Sequence, residues 1–205
     1  SQLAEGWNAG NDAVEMAIFP PFIHIPAVAA AVAKSTISIG AQNVSEYSAG
    51  AYTGETSAEM LVDQGCKYVL VGHSERRAMH NESSETVAEK FIAAQSAGLI
   101  PILCVGESLH QRHGNQTVEV VSAQIAAVVE RAGLHNVCRA VIAYEPVWAV
   151  GTGETATPNQ AQQVHSAIRA QLGEAGISTQ LLYGGSVKAE NAAELFGQPD
   201  INGGL

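Results

Sequence analysis

Short apolar runs recur along this chain, each closed by a polar or glycine-bearing turn and followed by a helical pattern. The runs cover residues 14–19, 37–41, 68–72, 100–106, 140–144 and 180–183, and residues 201–205 begin a seventh. Between them, residues 84–97 place Val87, Phe91 and Ile92 at helical spacing, and residues 117–131 do the same with Val120, Val121, Ile125, Val128 and Val129. Pro158 after Thr157 predicts a helix capped by that threonine and running to Leu172. Continuous apolar strands alternating with helices predict right-handed βαβ units and a parallel sheet covered on both faces. Neither a linker nor a shift in composition interrupts the pattern, so residues 1–205 read as one domain. The pattern alone fits a closed barrel or an open doubly wound sheet.

Composition narrows the choice of partners more than the choice of fold. A chain of 205 residues that is 46% hydrophobic can bury a substantial core. The net charge of −10, with ten Lys and Arg that form no stripe, argues against nucleic acid. A small anion remains a possible ligand, because backbone N–H groups at helix starts and turns can hold one. Cys66, Cys104 and Cys138 form no C-x-x-C pair and suit reduced thiols in the cytoplasm. With no signal-like start and no apolar run long enough to span a bilayer, no membrane association is expected.

In parallel α/β folds the chemistry sits where strands end and loops begin. Four such ends here are unusual. Gly72-His73-Ser74-Glu75-Arg76-Arg77 places a histidine beside a helix start, where the helix dipole favours the neutral ring; a turn-capping histidine is the bland alternative. Arg76 and Arg77 read as formers of local ion pairs. Tyr144-Glu145-Pro146-Val147-Trp148 continues to Gly151-Thr152-Gly153. A carboxylate closing a buried strand is partly desolvated, which strengthens it as a base. The following loop, with proline at one end, glycines at the other and an exposed-looking Trp148, has the make-up of a hinged lid. A salt-bridged glutamate before an ordinary loop would explain the same residues.

The third end, Tyr183-Gly184-Gly185-Ser186, could turn successive N–H groups inward as an anion nest, or could be a plain tight turn. The fourth, residues 40–56, is long for a βα loop, as functional or partner-touching loops tend to be. The pattern G-x-G-x-x-A at residues 151–156 lies six residues beyond Glu145 and not in a strand-to-helix turn, so it does not read as a dinucleotide site. His110-x-x-His113 lacks a nearby acidic or thiol cluster and does not read as a metal site.

Taken in order, Gly-Ala-Gln-Asn, Tyr-Thr-Gly-Glu-Thr-Ser, Gly-His-Ser-Glu-Arg-Arg, Ala-Tyr-Glu-Pro-Val-Trp-Ala-Val-Gly-Thr-Gly and Tyr-Gly-Gly-Ser closely resemble the triosephosphate isomerases of bacteria, over essentially the whole chain. The resemblance implies a (β/α)8 TIM barrel, incomplete here, with strands 2–7 and the start of strand 8. It implies an aldose-ketose isomerase of glycolysis and gluconeogenesis that interconverts dihydroxyacetone phosphate and D-glyceraldehyde 3-phosphate through an enediol(ate), with no cofactor and no metal. Glu145 then matches the general base and His73 the neutral electrophile, the two roles for which this family is itself the reference case. Glu75 matches a carboxylate behind the catalytic pair. Gly151 and Ser186 match donors to the substrate phosphate. Pro146, Trp148, Thr152 and Gly153 match the lid, and Tyr183 its latch. Thr53 matches the tip of a loop that enters a neighbouring subunit, which implies a homodimer. Nothing here matches the family's lysine after the first strand, or the paired glycines after the last. The sequence is therefore expected to be partial, and the chain as it stands to have little activity, since a single oxyanion donor is worth about 3–4 kcal/mol.

Overall fold

The computed structural model describes residues 6–7, 14–149 and 155–205. Contacts divide the chain into two compact units: residues 1–71 with 89–101, and residues 72–88 with 102–205.

In the first unit, β1 (Ala17–Ile18), β2 (Ser38–Ala41) and β3 (Cys66–Val71) pair in parallel and in order. Apart from Lys67, every residue of β3 is buried, which is what a strand covered on both faces requires. Helix α1 (Ile25–Val32) precedes β2, and α2 (Ala58–Asp63) precedes β3. Ser57 starts α2 by accepting the Met60 N–H. At the start of the strands, Glu15 accepts hydrogen bonds from Lys67, Tyr68 and Ser38.

In the second unit, β4 (Ile100–Val105), β5 (Val141–Tyr144), β6 (Gln180–Tyr183) and β7 (Gly203–Gly204) pair in parallel and in order from Ile102 onward. Helix α3 (Ser74–Met79) and helix α4 (Ser84–Ser96), whose residues from Glu89 onward belong to the first unit, precede β4 in the chain; α5 (Leu109–His113), α6 (Thr117–Ala132) and α7 (Leu134–Cys138) separate β4 from β5. Helix α8 (Pro158–Leu172) links β5 to β6, and α9 (Ala189–Phe196) links β6 to β7. The predicted cap on α8 is present. Thr157 accepts the Gln160 N–H, the Gln160 side chain accepts the Thr157 N–H, and Pro158 opens the helix. The buried stripe of α6 is narrower than the pattern suggests: Val121, Ile125 and Val128 are buried, while Val120 and Val129 flank them half-buried. In α4, Val87, Ala88, Phe91 and Ala94 are buried and Ile92 stands at their edge. Among the described residues, no helix is long and apolar enough to cross a membrane.

Candidate active site

The second unit gathers its functional groups just past the ends of its strands. Val105, Tyr144 and Tyr183 stand level across β4, β5 and β6. The ladder then takes one more step, with Glu145 N–H donating to Val105 O at 2.8 Å and Gly184 N–H to Tyr144 O at 2.7 Å. Gly106, Glu145 and Gly184 therefore open three adjacent loops.

Glu145 is 2% exposed, and both oxygens of its carboxylate are held. Oε2 accepts the Ser74 N–H at 2.8 Å, and Oε1 lies 3.0 Å from Nε2 of His73. His73 is the N-cap of α3, and its Nδ1 accepts the Glu75 N–H at 3.3 Å. An accepting Nδ1 carries no proton, so the neutral ring bears its hydrogen on Nε2 and donates it to Glu145. Two influences on the ring oppose each other. The Glu145 carboxylate raises the pKa of His73, while burial lowers it. The sequence reading included the helix start, which favours the neutral ring; the direct contact with Glu145 adds the pull in the other direction. Glu75 sits on the Nδ1 side of the ring, its carboxylate 66% exposed and 3.9 Å away, with Glu145 on the Nε2 side.

Of the two arginines expected in local ion pairs, Arg76 makes one, its Nε donating to Glu82 Oε1 at 2.6 Å. Arg77 does not. Its Nε donates to Gly72 O at 2.8 Å, Nη2 to Cys104 O at 3.3 Å and Nη1 to Ser84 Oγ at 3.3 Å. Gly72 is in the left-handed region at φ +72°, and a side chain there would press on Arg77 and Val87. Arg77 thus buttresses the turn from which His73 projects.

Sequence reading missed Glu107, which follows Gly106 at the end of β4 and is fully buried. Its Oε1 accepts from Trp148 Nε1 at 3.0 Å, Tyr144 OH at 3.1 Å, Arg112 Nη1 at 3.2 Å and Thr117 Oγ1 at 3.3 Å. The Arg112 guanidinium also lies over the Trp148 ring, 4.6 Å from its centre. Trp148 is consequently half-buried, not exposed as the loop's composition suggests. The signal that could have found Glu107 was the one that found Glu145: an acid closing an apolar run.

The loop after β6 is tied to the loop after β5, because Ser186 Oγ donates to Ala149 O at 3.2 Å. Gly184 and Gly185 serve close approach. A methyl group on Gly184 would press on Glu145 Cγ, and one on Gly185 would overlap the Tyr183 hydroxyl and crowd the buried Pro146. Tyr183 is itself buried; burial raises the pKa of its hydroxyl, against the effect of the Ala156 amide. Gly151, Thr152 and Gly153 lie outside the described residues. Thr53 lies in the first unit, exposed in a turn closed by Glu55 N–H donating to Tyr52 O, beside the stacked rings of Tyr47 and Tyr52. Among the described residues, no three His, Cys, Asp or Glu side chains are grouped to hold a metal ion.

An acid and an imidazole in contact at the ends of parallel strands suit proton transfer on a small substrate. The family model for triosephosphate isomerase matches residues 1–205. The triosephosphate isomerase of Thiobacillus denitrificans is 57% identical, over 94% of this chain and 79% of its own length. That of Dechloromonas aromatica is 52% identical, over 93% of this chain and 78% of its own. That of Pseudomonas putida strain GB-1 is 52% identical, over all of this chain and 84% of its own. With a match along its whole length and identities above one half, the chain belongs to the triosephosphate isomerase family of (β/α)8-barrel enzymes.

Proposed function

We propose that Glu145 and His73 are the general base and the electrophile of the family's reaction, the interconversion of dihydroxyacetone phosphate and D-glyceraldehyde 3-phosphate. The observation that carries the assignment is the contact of the Glu145 carboxylate with His73 Nε2 at 3.0 Å, beside the Ser74 amide. The Glu145 carboxylate takes a proton from C1 of dihydroxyacetone phosphate. The electrons of that C–H bond form the C1–C2 double bond, and the π pair of the C2 carbonyl moves onto its oxygen. His73 Nε2–H donates to that oxygen, which stabilises the enediol(ate). After the hydroxyl proton on O1 is passed to O2, Glu145 returns its proton to C2. Oxidation at C1 and reduction at C2 balance within the substrate.

Gly151 and Ser186 serve as donors to the substrate phosphate, with Pro146 to Gly153 as the lid and Tyr183 as its latch. Excluding water strengthens every charge interaction in the site and protects the enediolate. Glu75, on the Nδ1 side of His73, helps to set the ring's orientation. The exposed Thr53 turn with its stacked tyrosines supports a homodimer built on that loop, and sedimentation of the purified protein tests it: a monomer at micromolar concentration would contradict this part of the proposal. The site works in the cytoplasm, where its three cysteines stay reduced.

The chemistry is tested by Glu145→Gln. The substitution is expected to lower kcat by about 10²–10⁴-fold with little change in KM. A variant that keeps kcat within about three-fold of the parent would remove Glu145 from the role.

A further inference from the structure

We infer that Gln124, on helix α6, is a positioning residue for Glu145: its amide clamps the N–H and C=O of Gly106, against which the backbone of the base is seated. The inference rests on the reading of Glu145 as the base. Gln124 Oε1 accepts the Gly106 N–H at 2.8 Å, and Gln124 Nε2 donates to Gly106 O at 3.1 Å. A backbone N–H only donates and a carbonyl only accepts, so one orientation of the side-chain amide satisfies both bonds. The side chain thereby grips both backbone polar groups of Gly106, the residue just beyond the last paired residue of β4.

What the clamp holds is close to the chemistry. Gly106 packs so tightly on Glu145 that a methyl group there would overlap the Glu145 carbonyl oxygen. The Glu145 N–H meanwhile donates to Val105 O, on the other side of the Val105–Gly106 bond. The backbone of the base therefore meets two consecutive residues, the last of β4 and the glycine after it, and a shift of Gly106 is a shift of Glu145. The next residue, Glu107, receives Trp148 Nε1, so the same strand end supports the loop that follows the base. Helix α6 aims Gln124 inward because its buried stripe surrounds that position. Val121 lies three residues before Gln124 and Val128 four after, on one face of the helix.

The clamp acts on geometry, so it should govern turnover more than binding. A misplacement of about 1 Å can cost on the order of 100-fold in rate. Gln124→Leu keeps the bulk and removes both bonds; it is expected to lower kcat by about 10- to 100-fold with KM within about three-fold. Gln124→Glu gives a readout that packing alone would not move. Its ionised carboxylate still accepts the Gly106 N–H but sets a second lone-pair oxygen against Gly106 O, whereas the protonated acid restores both bonds. The kcat of Gln124→Glu relative to the parent should therefore rise as pH falls. A folded Gln124→Leu with kcat within about two-fold of the parent, or a Gln124→Glu profile parallel to the parent's, overturns the inference. If Gln124→Leu does not fold, the pH profile of Gln124→Glu decides. An inactive Glu145→Gln beside parent-like Gln124 variants removes the clamp alone, while an active Glu145→Gln removes the base reading itself.

Discussion

Nε2 of His73 and Oε1 of Glu145 stand 3.0 Å apart, so the electrophile and the base of the proposed reaction are hydrogen-bonded to each other. The second carboxylate oxygen is held by the Ser74 amide at 2.8 Å. The proposed reaction requires Glu145 to exchange both partners for the substrate's carbon-bound proton, over a distance set by the length of its side chain.

Glu145→Asp is the sharpest test of that reach. Removing one methylene withdraws the carboxylate by about 1.5 Å while keeping its charge. Since about 1 Å of misplacement can cost 100-fold, kcat should fall by at least that factor with KM little changed. Steady-state kinetics in both directions check it, and a loss under about five-fold would show that reach is not limiting.

The same contact predicts a pH effect in the unliganded protein. The Glu145 carboxylate raises the His73 pKa above its ordinary value of 6.5, against the effect of burial. A folded pKa above the unfolded one means that the contribution to stability is complete below about pH 6.5 and is lost as pH rises through the folded value. In Glu145→Gln the raising charge is gone and burial remains, so the His73 resonance should titrate at lower pH than in the parent. Proton NMR of the ring checks this, and an unchanged midpoint would refute it.

Glu107 predicts a stability effect. One buried oxygen collects Trp148, Tyr144, Arg112 and Thr117. Glu107→Leu leaves the Arg112 charge and the buried Tyr144 hydroxyl without that acceptor, at a cost of about 3–5 kcal/mol by analogy with other broken buried pairs. Trp148→Phe gives up one hydrogen bond to a charged group, a cost of about 1.5–3 kcal/mol. Urea unfolding of the two variants checks the order. Equal losses would mean that Trp148, not the buried carboxylate, dominates the network.

How much of this was legible in the sequence follows from the range of each interaction. The order of strands and helices was legible because it rests on local periodicity, and the cap of α8 because Thr157, Pro158 and Gln160 lie within one turn. His73, Glu145 and Ser186 could be singled out because each stands in the turn just past an apolar run. The pairing of His73 with Glu145 could not, since it depends on two loops meeting across 72 residues of chain. Gln124 was invisible for a similar reason. On its helix it reads as an ordinary polar residue, and its role appears only when Gly106, 18 residues earlier, is seen to need a partner. The apolar runs at residues 14–19 and 201–205 overstate their strands, because β1 and β7 each pair over just two residues. Pairing depends on a neighbour, which hydropathy along one strand does not describe.

A second histidine gives a pH effect of opposite sign to His73. His165 of α8 is fully buried, with Nδ1 2.8 Å from Ala161 O and its ring edge-on to Tyr144 at 5.7 Å and 6.4 Å from Tyr183. Burial lowers its pKa; the Ala161 and Leu182 backbone and the charge of Asp200 oppose the shift, and Arg169 reinforces it. The unfolded chain, titrating near 6.5, therefore takes up a proton first. Stability is complete above about that pH and falls as pH drops toward the folded value. His165→Phe keeps an aromatic ring in place, removes the titrating group and should flatten this acid-side slope, although the lost bond to Ala161 lowers stability at every pH. Urea unfolding at about pH 7.5, 6.5 and 5.5 measures the slope directly. If the parent and His165→Phe lose stability in parallel on acidification, another group is responsible and His165 is a packing residue alone.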